Sequence, residues 1–185
     1  MFVERLEHLN FSKYILPALA FTLFFSCKEK QQKLTKNELS TVKNGENVNI
    51  ERYDFDAFEP LLHKEDDTLR IVNFWATWCK PCVQELPAFE QVANEFSDKK
   101  MKVIFVSLDF PGQVQEQLLP FVNDRNMKNV ILLDDSKGNT WIPKVDESWS
   151  GAIPATLIYK KGQRDFYESG FDYTSLKEAI ADYDL

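Results

Sequence analysis

Two cysteines three positions apart, Cys79 and Cys82, stand in the run NFWATWCKPCVQELP (residues 73–87), behind two tryptophans and an apolar stretch. Thiols at this spacing can cycle between dithiol and disulfide, supply half of a tetrahedral metal site, or close a small structural loop. Structural zinc needs four ligands, commonly two such pairs or a pair with histidines. After Cys27 the chain offers only this pair and His63, so a zinc site within one chain is not expected. His63 lies in an amphipathic stretch far in sequence from Cys79 and is expected at the surface, not as a base beside a nucleophile. A bridge over so small a loop constrains the unfolded chain little, which makes stability a poor reason for it. Redox work is the use that remains.

That chemistry needs a helix start. Unpaired amide N–H groups and the positive end of the helix dipole stabilise a sulfur anion there. They lower the pKa of a first cysteine from about 8.5 toward about 7 or below. Lys80 pushes the same way. Cys82, almost one turn later, can reach Cys79 to close a disulfide while lying deeper. Pro81 is tolerated in the first turn, where its missing N–H would be unpaired anyway.

The surrounding pattern supplies such a helix. The run TLRIVNFWA reads as a buried strand ending just before Cys79. After it, Val83, Leu86, Phe89, Val92, Ala93 and Phe96 recur at spacings of three and four, one apolar stripe on a helix, with a kink expected near residues 83–86 from Pro87. Further along, KVIFVSLDF and NVILLDD read as strands, with QVQEQLLPFVNDRN between them as a helix interrupted at Pro120. PATLIYK and QRDFYESG read as a hairpin turning at Lys161-Gly162, and DYTSLKEAIADY as a closing helix. VNIERYDF, from Val48, is the expected first strand, followed by a short helix in DAFEPLLHK. The order β-α-β-α-β-α-β-β-β-α predicts an α/β fold, a central mixed sheet with helices on both faces. Trp75 is expected in the core; Trp141, Ile142 and Trp149 are expected to pack in the core, with the shaping of partner contacts as the alternative; Asp109 and Asp134-Asp135, at strand ends, are expected to be turn residues.

Of the 185 residues 44% are hydrophobic and 28% charged, which suits one globular domain with an appendage. A net charge of −7, with no Lys/Arg cluster longer than a pair, argues against nucleic acid as a partner. The first 27 residues differ from the rest. YILPALAFTLFF (residues 14–25) is uncharged, follows Lys13 and stops at Ser26-Cys27. It is too short to span a membrane, which takes roughly 20 residues, but suits the apolar part of an export signal. A small residue followed by Cys resembles a bacterial lipoprotein signal, which implies acylation of Cys27. An uncleaved signal anchor or a buried helix are the alternatives. Residues 28–47, rich in Lys, Gln, Asn, Glu and Thr, are expected to be a flexible tether, leaving 48–185 as the folded domain.

NFWATWCKPC followed by QELP resembles the active-site region of the thioredoxin superfamily, in particular its membrane-tethered extracytoplasmic branch, the TlpA/ResA-type thiol-disulfide oxidoreductases. The resemblance covers the chain from about Val48 to its end. It implies a thioredoxin-like fold with an insertion before the cis-proline strand, GNTWIPKVDESWS. It implies Cys79 as attacking thiolate and Cys82 as resolving thiol. Pro154 would be the cis-proline, with Ile153 presenting its backbone to an extended substrate segment, and Trp78 would pack at the rim. Asn73 stands where cytoplasmic thioredoxins carry a buried aspartate, and Glu85 matches a glutamate of the tethered branch that could relay a proton. No bound cofactor or metal is implied. The implied partners are protein thiols and disulfides, a membrane electron donor, and the membrane itself through a lipid or signal anchor. The implied location is the cell envelope, facing the periplasm or exterior. A thiol peroxidase of the same fold is one rival, although VNFWATW lacks the upstream Pro and the Arg usual there. A tethered binding module with an idle CxxC is the other.

Overall fold

The structure, a computed structural model, describes residues 37–43, 46–134 and 136–185. The expected export signal, Cys27 and the first part of the expected tether lie outside them. Seven strands form one mixed sheet: β1 (Asn37–Lys43), β2 (Glu46–Tyr53), β3 (Leu69–Trp75), β4 (Met101–Ser107), β5 (Val130–Leu133), β6 (Ala155–Lys160) and β7 (Gln163–Tyr167). Their order across the sheet is β1-β2-β5-β4-β3-β6-β7. The pairs β2/β5, β5/β4 and β4/β3 are parallel, while β1/β2, β3/β6 and β6/β7 are antiparallel.

Among the described residues five α-helices, α1 (Phe55–Phe58), α2 (Lys80–Glu95), α3 (Leu119–Asp124), α4 (Gly138–Val145) and α5 (Tyr173–Ile180), cover the two faces. Strand β3 explains the division, because its side chains alternate. Ile71 and Trp75 enter a core with Leu86, Phe89 and Val92 of α2, Leu119 and Val122 of α3, and Leu176 and Ile180 of α5. Val72 and Phe74 enter the opposite core with Phe55 and Phe58 of α1 and Trp141 and Val145 of α4. The crossovers β3-α2-β4 and β4-α3-β5 run the same way along the sheet, so right-handed connections put α2 and α3 on one face. Trp141 and Trp149 pack against Phe74, with ring centroids 6.4 and 4.7 Å away. The segment before β6 is therefore partly helical and contributes core, as expected of its aromatics.

Two elements differ in detail from the sequence expectation. The sheet includes residues before Val48, because β1 pairs with β2 from Asn37↔Arg52 to Lys43↔Glu46. Main-chain pairing along a sheet edge needs no apolar side chains, which is why a polar run read as tether is a strand. The stretch before Pro120 is a wide turn, Val114–Leu118, in which the Leu119 amide bonds to the Val114 carbonyl five residues back. Proline donates no amide hydrogen and crowds the preceding turn, which accounts for the changed register. Helix α2, in contrast, keeps its assignment through Pro87 from Lys80 to Glu95. Gly162 takes φ +78° at the β6–β7 turn, a conformation that favours glycine.

The C-terminus is fastened to this hairpin. The buried Tyr183 hydroxyl donates to Asp165 at 2.6 Å and stands 3.0 Å from the Ile158 carbonyl. Tyr183→Phe is expected to cost about 1–2 kcal/mol, because the Asp165 carboxylate loses a donor in a partly buried setting. Urea unfolding should give a lower midpoint with an unchanged slope.

Candidate active site

The site forms where β3 ends. Three residues separate Trp75 from Cys79, and the Cys79 amide closes a turn onto the Ala76 carbonyl at 3.1 Å. Cys79 is the N-cap of α2, and its sulfur accepts the Cys82 N–H at 3.3 Å. The sulfur thus occupies the place where a Ser or Asp side chain would satisfy a free amide of the first turn. Pro81 lies in that first turn and Lys80 is exposed. Cys79 and Cys82 are joined as a disulfide with their Cα atoms 5.3 Å apart. Cys79 is 5% exposed and Cys82 0%, which leaves Cys79 as the sulfur a partner can approach.

The loop before β6 faces this disulfide. The Ile153-Pro154 peptide is cis, and the Ile153 carbonyl lies 3.7 Å from Cys79 Sγ. Both residues are half-buried. Glu168, past the end of β7, holds the loop: its carboxylate accepts the Ser150 and Ala152 amides, each at 3.0 Å, and the Ser150 hydroxyl. Sequence reading did not single out Glu168.

Behind the disulfide lies a buried polar cluster. Glu85 is 4% exposed, on the inward face of α2 one turn beyond Cys82. Its Oε1 accepts from the Asn73 amide at 2.7 Å and its Oε2 accepts the Phe171 N–H at 2.9 Å. Asn73 also donates to Thr156 Oγ1 at 3.2 Å across the β3–β6 pair. Burial raises the Glu85 pKa above the ordinary carboxylate range, and the two donated hydrogen bonds offset only part of that. A methyl group on Gly170 would stand 3.5 Å from Glu85 Oε2 and 3.8 Å from Pro154 Cγ, so this cluster borders the cis-proline.

The outer rim is aromatic. Trp78 and Phe110, 50% and 54% exposed, stack with ring centroids 5.7 Å apart and planes 15° apart. They are the exposed large hydrophobic side chains among the described residues. Asp109 departs from the expectation of a turn residue. It is 2% exposed, accepts the Thr77 amide at 3.1 Å, the Thr77 hydroxyl, and the Ser107 hydroxyl at 2.8 Å. It is a turn-like residue pulled inward by partners on the loop that carries Cys79. The signal that locates it is register: β3 and β4 are parallel with Trp75 opposite Ser107, so Thr77 and Asp109 both lie two residues past that pair. His63 is exposed, and no group of three or more His, Cys, Asp or Glu side chains suited to a metal ion exists among the described residues.

A mixed sheet with helices on both faces, a cysteine pair opening a helix and a cis-proline across from it define a thioredoxin-like protein. The chain belongs to the AhpC/TSA family, whose profile matches residues 31–163. It is similar to the thioredoxin-like protein YneN of Bacillus subtilis (strain 168), 39% identical over 64 residues, 35% of this chain and 37% of that protein. It is also similar to a thiol-disulfide oxidoreductase ResA of Bacillus cereus, 28% identical over 148 residues, 78% of this chain and 75% of ResA. The chain spans about a third of YneN and of the ResA of Oceanobacillus iheyensis, 37% and 33%. Among solved structures, the thiol:disulfide interchange protein of the thioredoxin family from Chlorobium tepidum TLS superposes with a TM-score of 0.54 at 15% identity, covering 79% of this chain and 92% of that one. That likeness establishes the fold.

Proposed function

We propose that this protein is an extracytoplasmic thiol-disulfide oxidoreductase that reduces protein disulfides through Cys79 and Cys82. The observation that carries the reading is the Cys79 sulfur at the N-cap of α2, held by the Cys82 amide and facing the Ile153 carbonyl. The names of its ResA relatives support the same activity.

The Cys79 thiolate attacks one sulfur of a substrate disulfide, forming a mixed disulfide and releasing the first substrate thiolate. Cys82 gives up its proton and attacks the Cys79 sulfur. The Cys79–Cys82 disulfide forms, and the second substrate thiol leaves with a proton. Two electrons pass to the substrate with no bound cofactor. The Ile153 backbone orients an extended substrate strand, while Trp78 and Phe110 take its apolar side chains. Glu85, buried and within hydrogen-bond reach of Asn73, carries the proton that Cys82 loses. A membrane electron donor restores the dithiol. Cys27 carries a lipid, or the segment before it an anchor, that keeps the domain at the membrane of the cell envelope.

Insulin reduction driven by a thiol reductant should run well above the uncatalysed rate, with a potential for the Cys79–Cys82 couple toward the reducing end of the range of about −270 to −120 mV. A value at the oxidising end reverses the direction. Consumption of peroxide without insulin reduction supports the peroxidase instead, and neither activity leaves a binding module. Palmitate labelling that disappears in Cys27→Ala tests the anchor.

A further inference from the structure

The end of β4 reaches under the loop that carries the reactive sulfur and also over it. Underneath, the Asp109 carboxylate gathers three donors from two residues: the Thr77 amide, the Thr77 hydroxyl and the Ser107 hydroxyl. The Ser107 oxygen in turn accepts the Asp109 amide at 3.1 Å, so the carboxylate is fixed at its own base. Above, the next residue, Phe110, stacks on Trp78. Residues 77 and 78, the two that precede Cys79, are therefore gripped one after the other by residues 109 and 110. The Leu108 amide adds a bond to the Trp75 carbonyl at 2.8 Å, joining the two strand ends.

We propose that Asp109 is a positioning residue for Cys79: it fixes the Thr77–Trp78 turn so that the sulfur sits at the N-cap of α2, on the Cys82 amide. The assignment rests on Cys79 being the attacking thiol. A hydrogen bond from an amide stabilises a thiolate only while its direction is kept. The loop from Ala76 to Cys79 has few anchors of its own beyond the Cys79–Ala76 turn. A carboxylate is suited to the task because it accepts from several donors at once. Its charge works against the thiolate, so position and charge have opposite signs at Cys79 and can be separated by substitution.

The test is alkylation of the reduced full-length chain by iodoacetamide across pH, read by peptide mapping so that Cys79 is followed apart from Cys27 and Cys82. Asp109→Ala is expected to alkylate about threefold to tenfold more slowly at pH 7, with its pH profile displaced upward, as the thiolate fraction falls. Asp109→Asn keeps an acceptor for Thr77 and can donate to Ser107, so it should match the wild type or exceed it. Thr77→Val, which removes one donor and keeps the amide, is expected to be about twofold slower. It also decides the matter should Asp109→Ala fail to fold. An Asp109→Ala profile that coincides with the wild type overturns the proposal, as does Asp109→Asn falling equally far, or an unaltered Thr77→Val profile where Asp109→Ala cannot be measured. Alkylation requires no partner protein, so a chain inactive toward insulin can still give either answer.

Discussion

A Cys82→Ser chain is expected to stop after half a turnover and accumulate a mixed disulfide with its substrate through Cys79. Insulin reduction should drop to the uncatalysed background in this variant and in Cys79→Ser alike, and only Cys82→Ser should yield the covalent adduct, approaching one per chain. The two sulfurs differ in access: Cys79 retains some exposure beside the Ile153 carbonyl and Cys82 has none. An incoming disulfide therefore meets Cys79 first. The serine hydroxyl at position 82 is not ionised near neutral pH and cannot displace the captured partner, whereas a thiolate can. Non-reducing electrophoresis after mixing with an oxidised protein substrate reads the adduct directly. An adduct that builds up in Cys79→Ser and not in Cys82→Ser would reverse the two roles.

What the sequence made legible follows the range of each interaction. Cys79, Pro81 and Cys82 are local, and their place at the start of α2 could be read from an apolar strand followed by an apolar stripe. Glu85, one turn past Cys82, needed the resemblance, because nothing in the helix pattern alone separates it from a solvated glutamate. Pro154 needed the resemblance, because nothing local to SGAIP specifies a cis bond or a position across from Cys79. Asp109 and Phe110 were hidden for a different reason. Their partners, Thr77 and Trp78, are 32 residues earlier, and only the in-register parallel pairing of β3 with β4 brings them together. Glu168 is similar, since the β6–β7 hairpin returns it beside Ser150 and Ala152. Strand β1 was missed because a main-chain ladder leaves no mark in a polar run. The cores were the most legible part, since burial writes the same apolar period into helices and strands wherever they pack.

Glu85→Gln is expected to make the protein more stable at alkaline pH and a poorer catalyst. The Glu85 pKa is raised in the folded chain, with burial the leading cause, so in the folded state the proton is held more tightly than in the unfolded one. Stability from such a group is fully present below the ordinary carboxylate pKa and is lost as pH rises through the raised folded value. Glutamine stays neutral throughout. Thermal melts of wild type and Glu85→Gln should therefore nearly coincide around pH 4 and separate as pH rises, the variant melting higher at pH 8. Glutamine can still accept the Phe171 amide with its oxygen, and its nitrogen can face Asn73 Oδ1, a buried acceptor with no hydrogen-bond partner in the wild-type structure. What it cannot do is take up and return a proton. Turnover with insulin at pH 7 is expected to fall about hundredfold, the lower end of what a lost general acid or base costs. The first capture by Cys79 should slow less than the release step at Cys82, which stopped-flow Trp78 fluorescence can resolve. A variant that gains stability at pH 8 and keeps wild-type turnover would leave Glu85 as a buried charge with no part in proton transfer.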